Sequence, residues 1–218
     1  MKKLISISSE PAKTLSDLVQ YETLMRGSAD FFHCDVMKQP FVNRDLFDFS
    51  VLKEFSKTAK IPLDIHLMTE NLKEKYEEFF QLQPHFLTVH FEAFENKDEL
   101  KDLLQSIRKN NIKAGLSIKM ETPISKVQEF FPFIDLLLIM SVEIGKSGQK
   151  FNEKTYDKIK EAKQLFAKTN HKILIEVDGG VNEENASKLF DCGADILVSG
   201  SFVYHAENKV EAVKQLKK

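Results

Sequence analysis

The heptapeptide FFHCDVM, residues 31–37, sets two ionisable side chains, His33 and Asp35, inside an apolar run. Side chains along a strand alternate between its faces, so His33 and Asp35 point the same way. An unpaired buried charge is expensive, and a strand that buries this pair needs something to compensate it. Similar short runs recur along the chain: LISIS (4–8), PLDIHLM (62–68), HFLTVHF (85–91), KAGLSI (113–118), IDLLLIMS (134–141), KILIEVDG (172–179) and DILVSG (195–200). Several are nearly continuous in Ile, Leu, Val and Phe, the pattern of strands covered on both faces.

Amphipathic stretches separate these runs. Leu100, Leu103, Leu104 and Ile107 follow the helical spacing, as do Tyr156, Ile159, Ala162 and Phe166. Asn182 reads as a helix N-cap and Gly193 as a helix stop. Eight strands alternating with helices predict an α/β fold, a single (β/α)8 TIM barrel of parallel strands over residues 1–218. The alternative is an open doubly wound sheet. Against it, no GxGxxG follows the first strand and no linker marks a second domain.

Composition excludes more than it assigns. The chain is 42% hydrophobic and 29% charged, with a formal net charge of −2. Its basic and acidic residues are interspersed, which gives no reason to expect nucleic acid or a membrane surface as partner. Cys34 and Cys192 sit in apolar surroundings outside any CxxC pair and read as reduced thiols of a cytoplasmic protein. The LISI run near the N-terminus is too short for a signal-peptide core. No stretch reaches the apolar length of a membrane span.

In a barrel, chemistry sits at the C-terminal strand ends. Those ends carry His33 and Asp35, then His66, then Asp178. Two imidazoles and two carboxylates make a mononuclear divalent metal site, with Zn, Fe, Mn and Co all suited to the donor set. Each residue taken alone also fits a structural hydrogen bond or a turn. Gly179 and Gly180 precede a helix, while Gly200 and Ser201 follow the last strand; backbone N–H groups in such loops suit a phosphate, although turn sterics alone also select glycine. Gly145, Ser147 and Gly148 suit either a mobile lid or a plain connection. Met37, Met68 and Met140 read as core filler or as an apolar cap over the site.

The segments HCDVM, PLDIHLM, TVHFEA, MSVEIG…GQKF, IEVDGGVN and GADILVSGS resemble, in order and spacing, the ribulose-phosphate 3-epimerase family. The resemblance runs from about Ser6 to Ser201. It implies a metal-dependent isomerase that epimerises carbon 3 of a ketose phosphate through an enediolate. The expected substrate is D-ribulose 5-phosphate, converted to D-xylulose 5-phosphate in the pentose phosphate pathway. The resemblance assigns His33, Asp35, His66 and Asp178 as metal ligands and Asp35 and Asp178 as the acid/base pair. Ser6 and His66 become substrate contacts, Gly179, Gly200 and Ser201 phosphate contacts, and the methionines a pocket cap. It also implies a homo-oligomer.

Two loops depart from the family. DVMKQPFVNR (35–44) stands where the family reads DVMDGxFVPN, and EIGKSGQ (143–149) where it reads NPGFGGQ. Lys38 or Lys146 would then reach the phosphate or a longer sugar, which makes D-allulose 6-phosphate an alternative substrate. A sugar-phosphate-binding barrel without catalysis is the other alternative. Barrels with a DxKxxD motif fit less well, because Lys38 lies three residues after Asp35.

Overall fold

The structure is a computed structural model describing residues 2–70, 76–146 and 148–218. Among the described residues, eight parallel strands close into a barrel in sequence order. They are β1 Leu4–Ser8, β2 Phe31–Met37, β3 Leu63–Met68 and β4 Phe86–His90. The second half comprises β5 Lys113–Ile118, β6 Leu136–Met140, β7 Leu174–Asp178 and β8 Ile196–Ser199. The barrel is the expected fold, and the open sheet is excluded by the ladder that joins β1 to β8.

The barrel interior is filled in layers. Phe31, Phe86, Leu136 and Ile196, all from even-numbered strands, form an apolar floor with Leu4 and Leu174 against it. Contributions from alternate strands are the usual filling of this fold. Each such side chain contributes roughly 1.5–3 kcal/mol by leaving water. Above the floor the filling turns polar. Ser6, Asp64 and Glu176, from odd-numbered strands, are fully buried. Register then sets the upper site: His33 lies opposite Asp64, Asp35 opposite His66, and Met140 opposite Asp178.

The helices pack their apolar stripes on the outside of the barrel. Leu100, Leu104 and Ile107 of Lys97–Lys109 are buried, while Leu103 is only partly covered. Tyr156, Ile159, Ala162 and Phe166 bury the inner face of Lys154–Phe166. The helix Ala186–Cys192 starts later than its sequence suggests, with Asn185 rather than Asn182 at the cap. Asn182 instead begins a turn, its Oδ1 accepting the Glu184 N–H. Gly193 ends that helix at φ 118°, a conformation that suits glycine. Among the described residues, no helix is long and apolar enough to cross a membrane.

Gly115 of β5 pairs with Thr88 of β4, and a Cβ at Gly115 would meet Thr88 Oγ1 at 2.1 Å and Cβ at 2.8 Å. Gly115→Ala is therefore expected to lose about 1–3 kcal/mol of stability. Adding Thr88→Gly, which removes both clashing atoms, recovers part of that loss. Chemical denaturation of the single and double variants measures both effects.

Candidate active site and metal centre

His33, Asp35, His66 and Asp178 converge at the C-terminal mouth of the barrel, each offering a donor atom within 4.8 Å of the others. Nε2 of His33 and Nδ1 of His66 both lie 3.2 Å from Oδ1 of Asp35. Asp178 closes the group, with Oδ2 4.0 Å from His33 Nε2. Both histidines are fully buried and Asp35 nearly so.

Each donor is held from behind. His33 Nδ1 donates to Oδ2 of Asp64 at 2.6 Å, and the Ser6 hydroxyl donates to the same oxygen at 2.9 Å. Nε2 of His33 is buried and has no hydrogen-bond partner. The Ser8 hydroxyl donates to Asp35 Oδ2 at 3.1 Å. His66 Nε2 lies 2.9 Å from Nε2 of His90. Ser141 binds the carbonyls of Asp178 and Gly179, fixing the turn that follows β7.

The electrostatics separate the two carboxyls at the mouth. Burial opposes the Asp35 charge, but the His33 and His66 imidazoles outweigh it and hold Asp35 below the usual carboxylate range. Burial and then the Asp35 charge push Asp178 up to about 6. Burial also opposes charge on His33, yet the flanking Asp64 and Asp35 raise it well above its ordinary value. Deeper in the barrel, burial and Asp64 raise Glu176 well above the carboxylate range, so it carries a proton. His90 is held at about 4, chiefly by burial, and is neutral.

This donor set fits a divalent metal. An orphaned buried imidazole nitrogen faces two carboxylates, and the 3.2 Å separations are those of neighbouring ligands on bonds of about 2 Å. His33, Asp64 and Glu176 form a second close group. There the His33–Asp64 contact is already a short hydrogen bond and Glu176 is protonated, so the group serves as backing to the first.

The pocket above the four donors is walled by the strand-end loops. Met37, Met68 and Met140 line it. Ile144 of the loop after β6 packs against the cluster of Met37, Val42 and Met68. Gly145, Lys146 and Gly148 from the same loop line the pocket, while Ser147 lies outside the described residues. Gly179, Gly180, Gly200 and Ser201 line it as well. Gly180 is required there: its φ is 63°, and a Cβ would come within 2.8 Å of the Phe151 nitrogen.

Three expectations change. Ser6 does not line the pocket but lies beneath the donors on Asp64; Ser8, one inward position further along β1, is the serine of that strand at the pocket. Lys38 turns away to Asp45, at 3.8 Å, and does not line the pocket. His90, which the sequence leaves without a role, touches His66. Glu10 also lines the pocket, paired with Arg44 at 2.5 Å.

Fold and site together define a (β/α)8 barrel with a buried centre of two histidines and two aspartates at its catalytic end. The profile of the ribulose-phosphate 3 epimerase family matches residues 4–204. The ribulose-phosphate 3-epimerase of Aquifex aeolicus is 33% identical over 198 residues, covering 91% of this chain and 88% of its own. That of Bacillus subtilis is 35% identical over 193 residues, 88% of each chain. The chain belongs to the ribulose-phosphate 3-epimerase family, isomerases that act on carbohydrates. Among solved structures, the Streptococcus mutans KGPDC superposes with a TM-score of 0.75 at 9% identity, over 100% of this chain and 96% of that one. At that identity the likeness is one of fold.

Asp178 provides a direct test of these electrostatics. An unfolded Asp titrates near 4, so between about pH 4 and 6 the folded, chelator-treated chain binds this proton more tightly than the unfolded chain. The resulting stability is present at low pH and lost as pH rises through 6. Relative to wild type, Asp178→Asn should therefore gain stability over that window, by on the order of 3 kcal/mol at pH 8. Denaturant melts of both proteins across pH measure the difference; one that does not vary with pH contradicts the assignment.

Proposed function

We propose that this chain inverts carbon 3 of a ketose phosphate, interconverting D-ribulose 5-phosphate and D-xylulose 5-phosphate. The observation that carries the reading is the pair Asp35 and Asp178. They sit in one cluster with both histidines yet differ in proton affinity.

Carbon 3 of such a sugar lies beside the carbonyl at carbon 2. Inverting it requires removal of a proton from one face and delivery of a proton to the other, which calls for two groups. Asp35, held ionised by its imidazoles, is suited to accept. Asp178, with a proton affinity near neutrality, is suited to deliver. In the reverse direction the roles exchange. His33, Asp35, His66 and Asp178 would hold a divalent metal, which supplies positive charge to stabilise the enediolate oxygens. Met37, Met68 and Met140, with Ile144 over them, keep water from the reacting carbon. Gly179, Gly180, Gly200 and Ser201 line the same pocket, and their backbone N–H groups would receive the phosphate.

A second reading, D-allulose 6-phosphate as substrate, draws on one observation. The segment Ile144–Lys146 also walls an adjoining hollow lined by Phe41, Asn43, Lys119 and Glu121. A sugar longer by one carbon would press on this shared segment, and the hollow behind it leaves room for the segment to yield.

Incubation with each sugar in deuterated water tests both readings. Proton NMR is expected to show deuterium entering carbon 3 together with appearance of the epimer, abolished by a chelator and restored by Zn, Fe, Mn or Co. Asp35→Asn and Asp178→Asn should each slow the exchange by about 10²–10⁴-fold. No exchange with either sugar in metal-bearing protein overturns the proposal and leaves sugar-phosphate binding as the function to pursue.

A further inference from the structure

His90 ends β4 fully buried, and its role follows from counting protons. Its Nε2 lies 2.9 Å from Nε2 of His66, and its Nδ1 lies 3.2 Å from Oε2 of Glu92. Glu92 is itself pinned: its Oε1 accepts the Lys119 backbone N–H at 2.8 Å and the Thr122 hydroxyl. The loop after β5, Glu92, His90 and His66 thus form one hydrogen-bonded chain. It ends at His66 Nδ1, 3.2 Å from Asp35.

Two ring nitrogens in contact need one proton between them, and either ring can supply it. Asp35 and Glu92, at the two ends of the chain, each favour a proton on the nitrogen they face. With a cation held at Asp35 that end would need no proton, and Glu92 decides. A carboxylate only accepts, so the His90 nitrogen facing it carries the proton. A neutral imidazole has one N–H, which leaves His90 Nε2 an acceptor. His66 therefore donates from its own Nε2. Its Nδ1 would then offer its lone pair to the cation shared with Asp35, in place of the hydrogen bond it makes to that carboxylate when no cation is bound.

We propose that Glu92 and His90 are positioning residues that keep the His66 proton on Nε2 and so present Nδ1 as the metal-binding atom. The proposal deepens the preceding reading and rests on its metal-binding cluster. His33 is aimed in the same way by a shorter route, from Nδ1 directly to Asp64. Ligating histidines are commonly oriented by a carboxylate on the far nitrogen. The interposed His90 ring moves the orienting charge outward. Glu92 is partly solvated while the ring that carries its preference stays dry.

The test uses Glu92→Gln, which keeps the shape of the side chain. The Lys119 N–H still needs an oxygen acceptor, so the amide turns its NH₂ toward His90 and opposes the chain. Zn²⁺ affinity of the full chain, measured against a competing chelator, is expected to fall about 10–100-fold. Glu92→Asp, which restores a carboxylate, should recover part of the loss, and melts of the chelator-treated variants check the fold. In the Zn²⁺-loaded wild type, ¹⁵N NMR should place the His90 proton on Nδ1. A His90 proton on Nε2, or Zn²⁺ affinity in Glu92→Gln within twofold of wild type, overturns this proposal alone. A wild-type chain that binds no Zn²⁺, Fe²⁺, Mn²⁺ or Co²⁺ overturns this proposal and the metal-dependent reading together.

Discussion

The hydrogen bond from His33 to Asp64, 2.6 Å long and wholly buried, is the contact on which the rest of the site depends. It solves the problem of placing ionisable groups at the centre of a barrel. Asp64 accepts from an imidazole and a serine on one oxygen, and these contacts with the nearby positive charge keep it ionised. Glu176, beside it, stays neutral because burial and the Asp64 charge oppose a second negative charge there, which His33 offsets only in part. The polar layer thus carries one compensated charge rather than two. Above it the same logic repeats with Asp35 between two imidazoles. An uncompensated charge in either layer would be costly, and each is matched by a neighbour from the adjacent strand.

The sequence spoke clearly where local pattern and tertiary environment agree. FFHCDVM is a strand over its full quoted length, as are LISIS and KAGLSI, because continuous apolar runs have no stable alternative inside a closed sheet. The four donors were legible because charged residues in such runs stand out. Their supports were less so. Asp64 lies two residues before His66 and Glu176 two before Asp178, so strand alternation places each on the face of its neighbour. That signal was present, but it does not say which of two acids meets the cation and which backs it. Depth along the barrel axis decides, and depth is set by the stagger between strands. The same stagger puts Ser8 rather than Ser6 at the pocket. His90 and Glu92 were harder still, since their role is a matter of hydrogen-bond direction across three elements.

The departing loops have a common physical character. Arg44 answers Glu10, and Lys146 answers Glu143 at 3.3 Å. The cations introduced at the mouth thus arrive with acids beside them. The Lys146 pair is exposed and holds weakly. The Arg44 pair is tighter, and Arg44 Nε also approaches the Met37 sulfur at 3.3 Å, tying the rim to the apolar cap. Under the proposed function, a rim with its cations so engaged would leave anion recognition chiefly to backbone N–H groups.

The apolar floor of Phe31, Phe86, Leu136 and Ile196 has a consequence for traffic. It stoppers one end of the polar shaft, so the cavity is a well with one opening. Under the proposed function, an ion at His33 and His66 and a sugar phosphate above it would share that opening, with the sugar on the outside. Loading would then be ordered by geometry, the ion first and the sugar second. Release would run in reverse, and a seated sugar would shield the ion from exchange with solvent.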